Sequence, residues 1–227
     1  MKKLTYPLFF VSLLFFGTVN AQTGVRFGFM TGYSLATQYG ISPADDTYKV
    51  ETGGRHGFAG GVFLYYPITE SVGIQQEFFY AQKGSRQDVT ITTPFEINTV
   101  SEYNLNYFEL PISVKYRIVN IKKVGIYGSA GIALSLLLSG DYAITSTINA
   151  GGPPIIQEES GDMKGLDTFD YSFVYGLGTT TNMLNKDFFL ELRMSVGWNT
   201  LAMPNATPAA PVPLRNQDYI LAVGMYF

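Results

Sequence analysis

Phe188-Phe189-Leu190-Glu191-Leu192-Arg193-Met194-Ser195-Val196-Gly197-Trp198-Asn199 is the stretch that decides the fold. Phe188, Leu190, Leu192, Met194, Val196 and Trp198 fall at every second position. Phe189, Glu191, Arg193, Ser195, Gly197 and Asn199 fill the positions between. A helix would mix the two sets on its surface, whereas a strand puts them on opposite faces. Tyr107 to Ile118 repeats the arrangement. There Phe108, Leu110, Ile112, Val114, Tyr116 and Ile118 form the apolar set, and Tyr107, Glu109, Pro111, Ser113, Lys115 and Arg117 the other.

Extended along the chain, the alternation predicts eight strands. They are Val25–Leu35, Gly57–Tyr66, Val72–Gly84, Tyr103–Ile118, Val124–Leu138, Thr168–Asn182, Phe188–Thr200 and Asp218–Phe227. The links alternate as well. Pro67–Ser71, Val119–Lys123 and Met183–Asp187 are short. Ala36–His56, Ser85–Glu102, Ser139–Asp167 and Leu201–Gln217 are long, and the last holds Pro204, Pro208, Pro211 and Pro213, which argues against regular structure. Short turns at one end and long loops at the other are the pattern of a membrane barrel with an even strand number. The expected fold is all-β, an eight-stranded antiparallel up-and-down transmembrane β-barrel. Pro111, inside a strand, predicts a bulge.

Composition decides which face meets what. Of 227 residues only 15% are charged, while there are 24 Gly, 17 Phe, 16 Tyr and 1 Trp. An ordinary soluble domain carries roughly 25% charged residues. A soluble, lipocalin-like barrel would put the apolar set inside and crowd its exterior with Lys and Glu. Here the non-apolar set is small and sparse: Gly28, Gly32, Gly61, Gly125, Gly131, Gly176, Gly178 and Gly197, with a few charges. That face suits a narrow lumen filled by side chains, and the Phe, Leu, Ile and Val face suits lipid. A soluble periplasmic lipid-binding barrel remains the competing architecture. Mean hydropathy is only +0.10 because the two faces average out.

Met1–Ala21 reads as a secretory signal peptide. Lys2 and Lys3 form the basic region, Leu8 to Phe16 the apolar one, and Val19-Asn20-Ala21 the cleavage motif. The apolar run is shorter than the ~20 residues that span a membrane. Cleavage after Ala21 leaves residues 22–227 as the barrel domain. No cysteine marks that point, so a lipoprotein is not expected. Without Lys2 and Lys3, 13 basic residues face 18 acidic ones. No other apolar run reaches spanning length, Ile126–Leu138 being the best. Zero cysteines exclude disulfides and thiol chemistry, and a single histidine excludes a multi-histidine metal centre. The isoelectric point near 5.2 gives nucleic acid no bulk basic surface.

Parity assigns eight charges to the lumen: Arg26, Glu77, Glu109, Lys115, Arg117, Asp170, Glu191 and Arg193, four of each sign. Buried charges persist when paired, so an interior ion-pair network is expected. A gated path for ions or solutes is the alternative, with Glu77, Glu109, Arg193 and Lys115 as its gate. No catalytic residue, cofactor or metal is expected. His56 is the only imidazole, and Ser34, Ser85 and Ser139 are the serines that could approach its rim. Asp141, Glu158, Glu159, Asp162 and Asp167 could offer oxygen ligands to Ca²⁺, but lack EF-hand spacing and read more simply as a solvated acidic loop. Aromatic girdles are predicted from Tyr65, Tyr66, Tyr116, Phe188 and Phe227 on the turn side and Tyr33, Tyr80, Tyr171 and Trp198 toward the loops.

Three segments resemble a known family. They are Tyr107-Phe108-Glu109-Leu110-Pro111-Ile112-Ser113-Val114-Lys115-Tyr116-Arg117, Gln76-Glu77-Phe78-Phe79-Tyr80-Ala81-Gln82-Lys83-Gly84 and Gly125-Ile126-Tyr127-Gly128-Ser129-Ala130-Gly131. In order and spacing they are similar to strands of the PorT-like outer-membrane β-barrel proteins, relatives in shape of the small OmpA and OmpX barrels. The alternating Tyr219, Leu221, Val223, Met225 and Phe227 resemble the C-terminal signal read by the barrel-insertion machinery. The resemblance implies an outer-membrane location in a Gram-negative envelope and a structural or surface-interaction role, accessory to envelope assembly or secretion. The partners so implied are outer-membrane lipid and lipopolysaccharide, the insertion machinery, and an envelope or secretion protein.

Overall fold

The computed structural model describes residues 24–39, 48–92, 95–163, 165, 167–200 and 215–227. The expected leader, Met1–Ala21, and most of the proline-rich link lie outside them. The strands are β1 (Arg26–Tyr39), β2 (Tyr48–Gly53), β3 (Arg55–Pro67), β4 (Val72–Ile91), β5 (Glu96–Ile121), β6 (Val124–Asn149), β7 (Ile155–Asp162), β8 (Phe169–Met183), β9 (Lys186–Gly197) and β10 (Arg215–Tyr226). Eight of them form a closed antiparallel ring, β1-β3-β4-β5-β6-β8-β9-β10, sealed where β1 pairs with β10. Closure leaves the ring no open edge. The remaining two strands lengthen its neighbours: β2 pairs the upper part of β4, and β7 the upper part of β6.

Short turns join strands at one end. Leu184 and Asn185, between β8 and β9, both have positive φ (52° and 60°). That conformation matches the twist of a two-residue hairpin. Between β3 and β4, Thr69 Oγ1 accepts hydrogen bonds from the Ser71 and Val72 amides at 3.2 and 3.0 Å.

The alternation is realised in three dimensions. Leu177, Leu192 and Leu221 sit side by side across β8, β9 and β10 and point outward, each at least half exposed. One position along, Glu191 lies between Gly178 and Ala222 and is fully buried in the interior. Charges inside and apolar side chains outside reverse the lipocalin arrangement. An apolar exterior of this extent calls for a lipid solvent.

Two expectations need correction. The links Ser85–Glu102 and Ser139–Asp167 are largely strand, because β4 with β5 and β6 with β7 continue as paired hairpins. Backbone groups there pair with each other rather than with water, and Thr- and Val-rich stretches such as Val89-Thr90-Ile91 favour the pleat. Pro111 causes no register shift. It stays in step opposite Ala133, and the β4–β5 ladder is merely interrupted beside it, consistent with its missing N–H. The shifts in this hairpin lie at Asn106/Tyr107 and Arg117/Val119 instead.

The inner face is also more aromatic than glycine and charge alone suggest. Phe63, Phe189 and Tyr226 meet edge-on or tilted, with ring centroids 5.0–5.7 Å apart. Glycines on neighbouring strands make the room. A Cβ on Gly28 would meet the Phe63 ring at 2.3 Å, one on Gly224 the Phe189 ring at 2.3 Å, and one on Gly178 the Tyr127 ring at 2.5 Å. Tyr65, expected in the outer girdle, turns inward and packs on Tyr226. On the outer face, Tyr171 stacks on Trp198 and Phe27 on Phe227.

Candidate functional site

The interior charges lie in tiers from the turn end upward. At the mouth, Arg26 pairs with Asp187 at 2.5 Å, and both are about one-third exposed. Above them, Lys115 pairs with Glu191 at 3.0 Å while its ammonium lies 4.5 Å from the Tyr127 ring centre. Tyr127 donates to the same carboxylate at 2.7 Å. Arg193 then bridges two carboxylates. It donates bidentately to Glu77 at 2.7 Å and to Glu191 at 2.8 Å. Gln75 donates to Glu77 at 2.7 Å. The planar guanidinium with its five donors makes this bridge possible; a lysine could not reproduce it.

The tier nearest the loops is acidic. Lys83 pairs with Glu109 at 2.6 Å, and Ser135 donates to Glu109 at 2.8 Å. Asn216 donates to Asp170 at 2.8 Å. Asp218 and one oxygen of Asp170 have no hydrogen-bond partner among the described residues.

Six of the eight charges assigned by parity are buried here: Glu77, Glu109, Lys115, Asp170, Glu191 and Arg193. Arg26 lies at the mouth, and Arg117 is exposed at the turn-side rim with no ion pair among the described residues. Lys83 and Asp218 lie outside the eight assigned by parity, yet both are buried in the interior. Both were in phase, Lys83 with Glu77, Phe79 and Ala81, and Asp218 with Ile220, Ala222 and Tyr226. With them included, the buried set is five carboxylates against three cations rather than four of each sign.

A second candidate surface lies beyond the ring. β8 leaves β6 at Leu136, yet β6 continues to Asn149 between β5 and β7. β2, β4, β5, β6 and β7 thus form a projecting five-stranded sheet. Its β2–β5 side carries charge: Lys49 with Glu51, and Arg86 with Asp88 and Glu102. The hydrogen bond and charge of Lys49 hold Glu51 below the usual carboxylate range. Tyr142 donates to Glu159 at 2.8 Å, tying β6 to β7. β7 pairs only with β6 among the described residues, and Ile155 and Ile156 stand more than half exposed on it. Asp141, Glu158, Glu159 and Asp162 belong to this sheet and Asp167 follows it. Among the described residues no three acidic or histidine side chains converge as a metal set.

His56 faces outward and hydrogen-bonds the Tyr33 hydroxyl. Ser34 is buried on the inner face and donates to the Gln82 carbonyl. Ser85 donates to Gln38, and Asn106 donates to Ser139. None of the three serines partners His56.

A family model described as outer membrane protein beta-barrel domain matches residues 20–202. Among solved structures, the attachment invasion locus protein Ail of Yersinia pestis is 15% identical, with 89% of this chain and 98% of that chain covered and a TM-score of 0.40. Neisserial surface protein A is 12% identical, with 90% and 99% covered and a TM-score of 0.43. The outer membrane protease OmpT from Escherichia coli is 9% identical, with 93% and 99% covered and a TM-score of 0.49. No curated protein matches the chain.

Proposed function

The chain belongs to the outer membrane protein beta-barrel domain family, and from that premise we propose that it is a non-enzymatic surface-interaction protein whose projecting sheet binds a partner outside the cell. The observation that carries this reading is the edge of β7 that no strand covers among the described residues, on a sheet that outruns the ring. Outer-membrane barrels place their long connections outside and their short turns in the periplasm. An unpaired strand edge offers a row of amide and carbonyl groups to an added strand, and exposed isoleucines add apolar grip. The partner is an envelope or secretion protein, with lipopolysaccharide around the rim and the barrel-insertion machinery engaged during assembly. The three segments quoted above support a narrower kinship to PorT-like barrels, and Met1–Ala21 serves as the cleaved leader.

The test is site-specific photocrosslinking in intact cells. A crosslinker at Ile156 should capture a discrete partner. One at Leu184, which is 92% exposed in a periplasmic turn, should not. Identical adducts from both positions, or none from Ile156, would remove the reading. A second reading, a gated channel, draws on the Arg193 bridge between Glu77 and Glu191. If neither the native protein nor Glu77→Gln shows single-channel steps in planar bilayers, the channel reading fails.

A further inference from the structure

We propose that the turn-side mouth of the barrel is a binding site for a phosphate-bearing anion arriving from the periplasm. A cavity of about 240 Å³ opens there, lined by Arg26, Lys115, Arg117, Lys122, Lys123 and Asp187 among others. Five cations therefore surround one carboxylate, and that carboxylate is already engaged. Asp187 Oδ2 accepts from Arg26 at 2.5 Å and Oδ1 from Asn182 at 2.7 Å. Lys115, buried at the floor, is held by Glu191. Arg117, Lys122 and Lys123 form no ion pair among the described residues.

Five cations against Asp187 and the Glu191 that holds Lys115 leave an excess of three positive charges in one concave site. A group carrying two negative charges offsets most of that excess, whereas a monocarboxylate offsets one. A guanidinium offers paired donors matched to phosphate geometry, and lysines add point charge. Thr180, on the adjoining strand β8 opposite Gly125, lines the cavity with a hydroxyl that can donate to a further oxygen. The turns carry the site into the periplasm, and the barrel wall separates it from surrounding lipid. A soluble phosphomonoester is therefore the expected source, and a lipid headgroup the other source of the same chemistry.

The experiment uses the full barrel in phosphate-free maltoside micelles, with calorimetric titration at fixed ionic strength. The probes are inorganic phosphate, glycerol phosphate, dihexanoyl phosphatidic acid and acetate. Saturable binding of glycerol phosphate but not acetate supports the site with a soluble source. Binding of the short-chain lipid alone supports it with a lipid source. Arg117→Gln/Lys122→Gln/Lys123→Gln should weaken binding at least tenfold, while Arg86→Gln on the external sheet leaves it unchanged. Asp187→Asn, which removes the competing carboxylate, should tighten binding several-fold. Heat-modifiable gel mobility reports that each variant is folded. Equal competition by acetate, no saturable binding, or a folded triple variant that binds like the native protein overturns the proposal.

Discussion

Arg193, like Glu191, joins two interior charges of opposite sign, and its removal has a definite consequence. Arg193→Ala leaves Glu77 and Glu191 facing each other without their guanidinium. Stranding buried charge costs about 3–5 kcal/mol. Urea unfolding in lipid vesicles should show that loss, and an unchanged midpoint would mean water already compensates these carboxylates. Replacing Glu77 and Arg193 together by Met should cost less, since Glu77 is no longer left unpaired. The glycines make a second prediction. Gly178→Val would push the Tyr127 ring from its seat and break its bond to Glu191. Overpacking of this kind costs about 1–3 kcal/mol, read by the same unfolding measurement. At this scale parity alone places Glu77, Glu109, Glu191 and Arg193 inside. Parity says nothing of height, so it could not place Arg117 at the rim rather than in the network.

The strands carry predictions of their own. If the β7 edge accepts an added strand, Ile155→Lys/Gln157→Lys should abolish crosslinking from position 156 while the barrel stays folded, because lysines on an edge block pairing. Persistent crosslinking in that variant would place the partner elsewhere. β10 presents Tyr219, Leu221 and Val223 outward, and Phe227, directly after it, stacks on Phe27 at 5.0 Å across the seam. If Phe227 belongs to an insertion signal, Phe227→Ala should lower the outer-membrane fraction on a density gradient more than Phe27→Ala does. Equal losses would mean that only the stacking matters. The ring strands were legible because each has one apolar and one polar face. β7 was not, since Ile155-Ile156-Gln157-Glu158-Glu159-Ser160-Gly161-Asp162 has no alternation. It becomes a strand because β6 offers it a partner.

The whole molecule is a closed ring with an open sheet standing on one end. The ring interior is filled by ion pairs and an aromatic cluster. The turn end is basic, whereas the projecting β6–β7 hairpin carries Asp141, Glu158, Glu159 and Asp162. The sequence by itself determined the all-β class, the ring strands, the short turns and which face meets lipid. These are local properties: period-two alternation and the small residues a narrow lumen demands. Only the tertiary structure decided which charges meet. Glu77 and Arg193 are 116 residues apart, and closure of the ring is what sets them within 2.7 Å. The stagger of the strands likewise chose Lys83 for Glu109, left Asp218 without a hydrogen-bond partner among the described residues and gathered Arg117, Lys122 and Lys123 with Arg26 at one mouth. Alternation specifies the side of a strand, but pairing across a barrel depends on register and closure, which no single segment encodes.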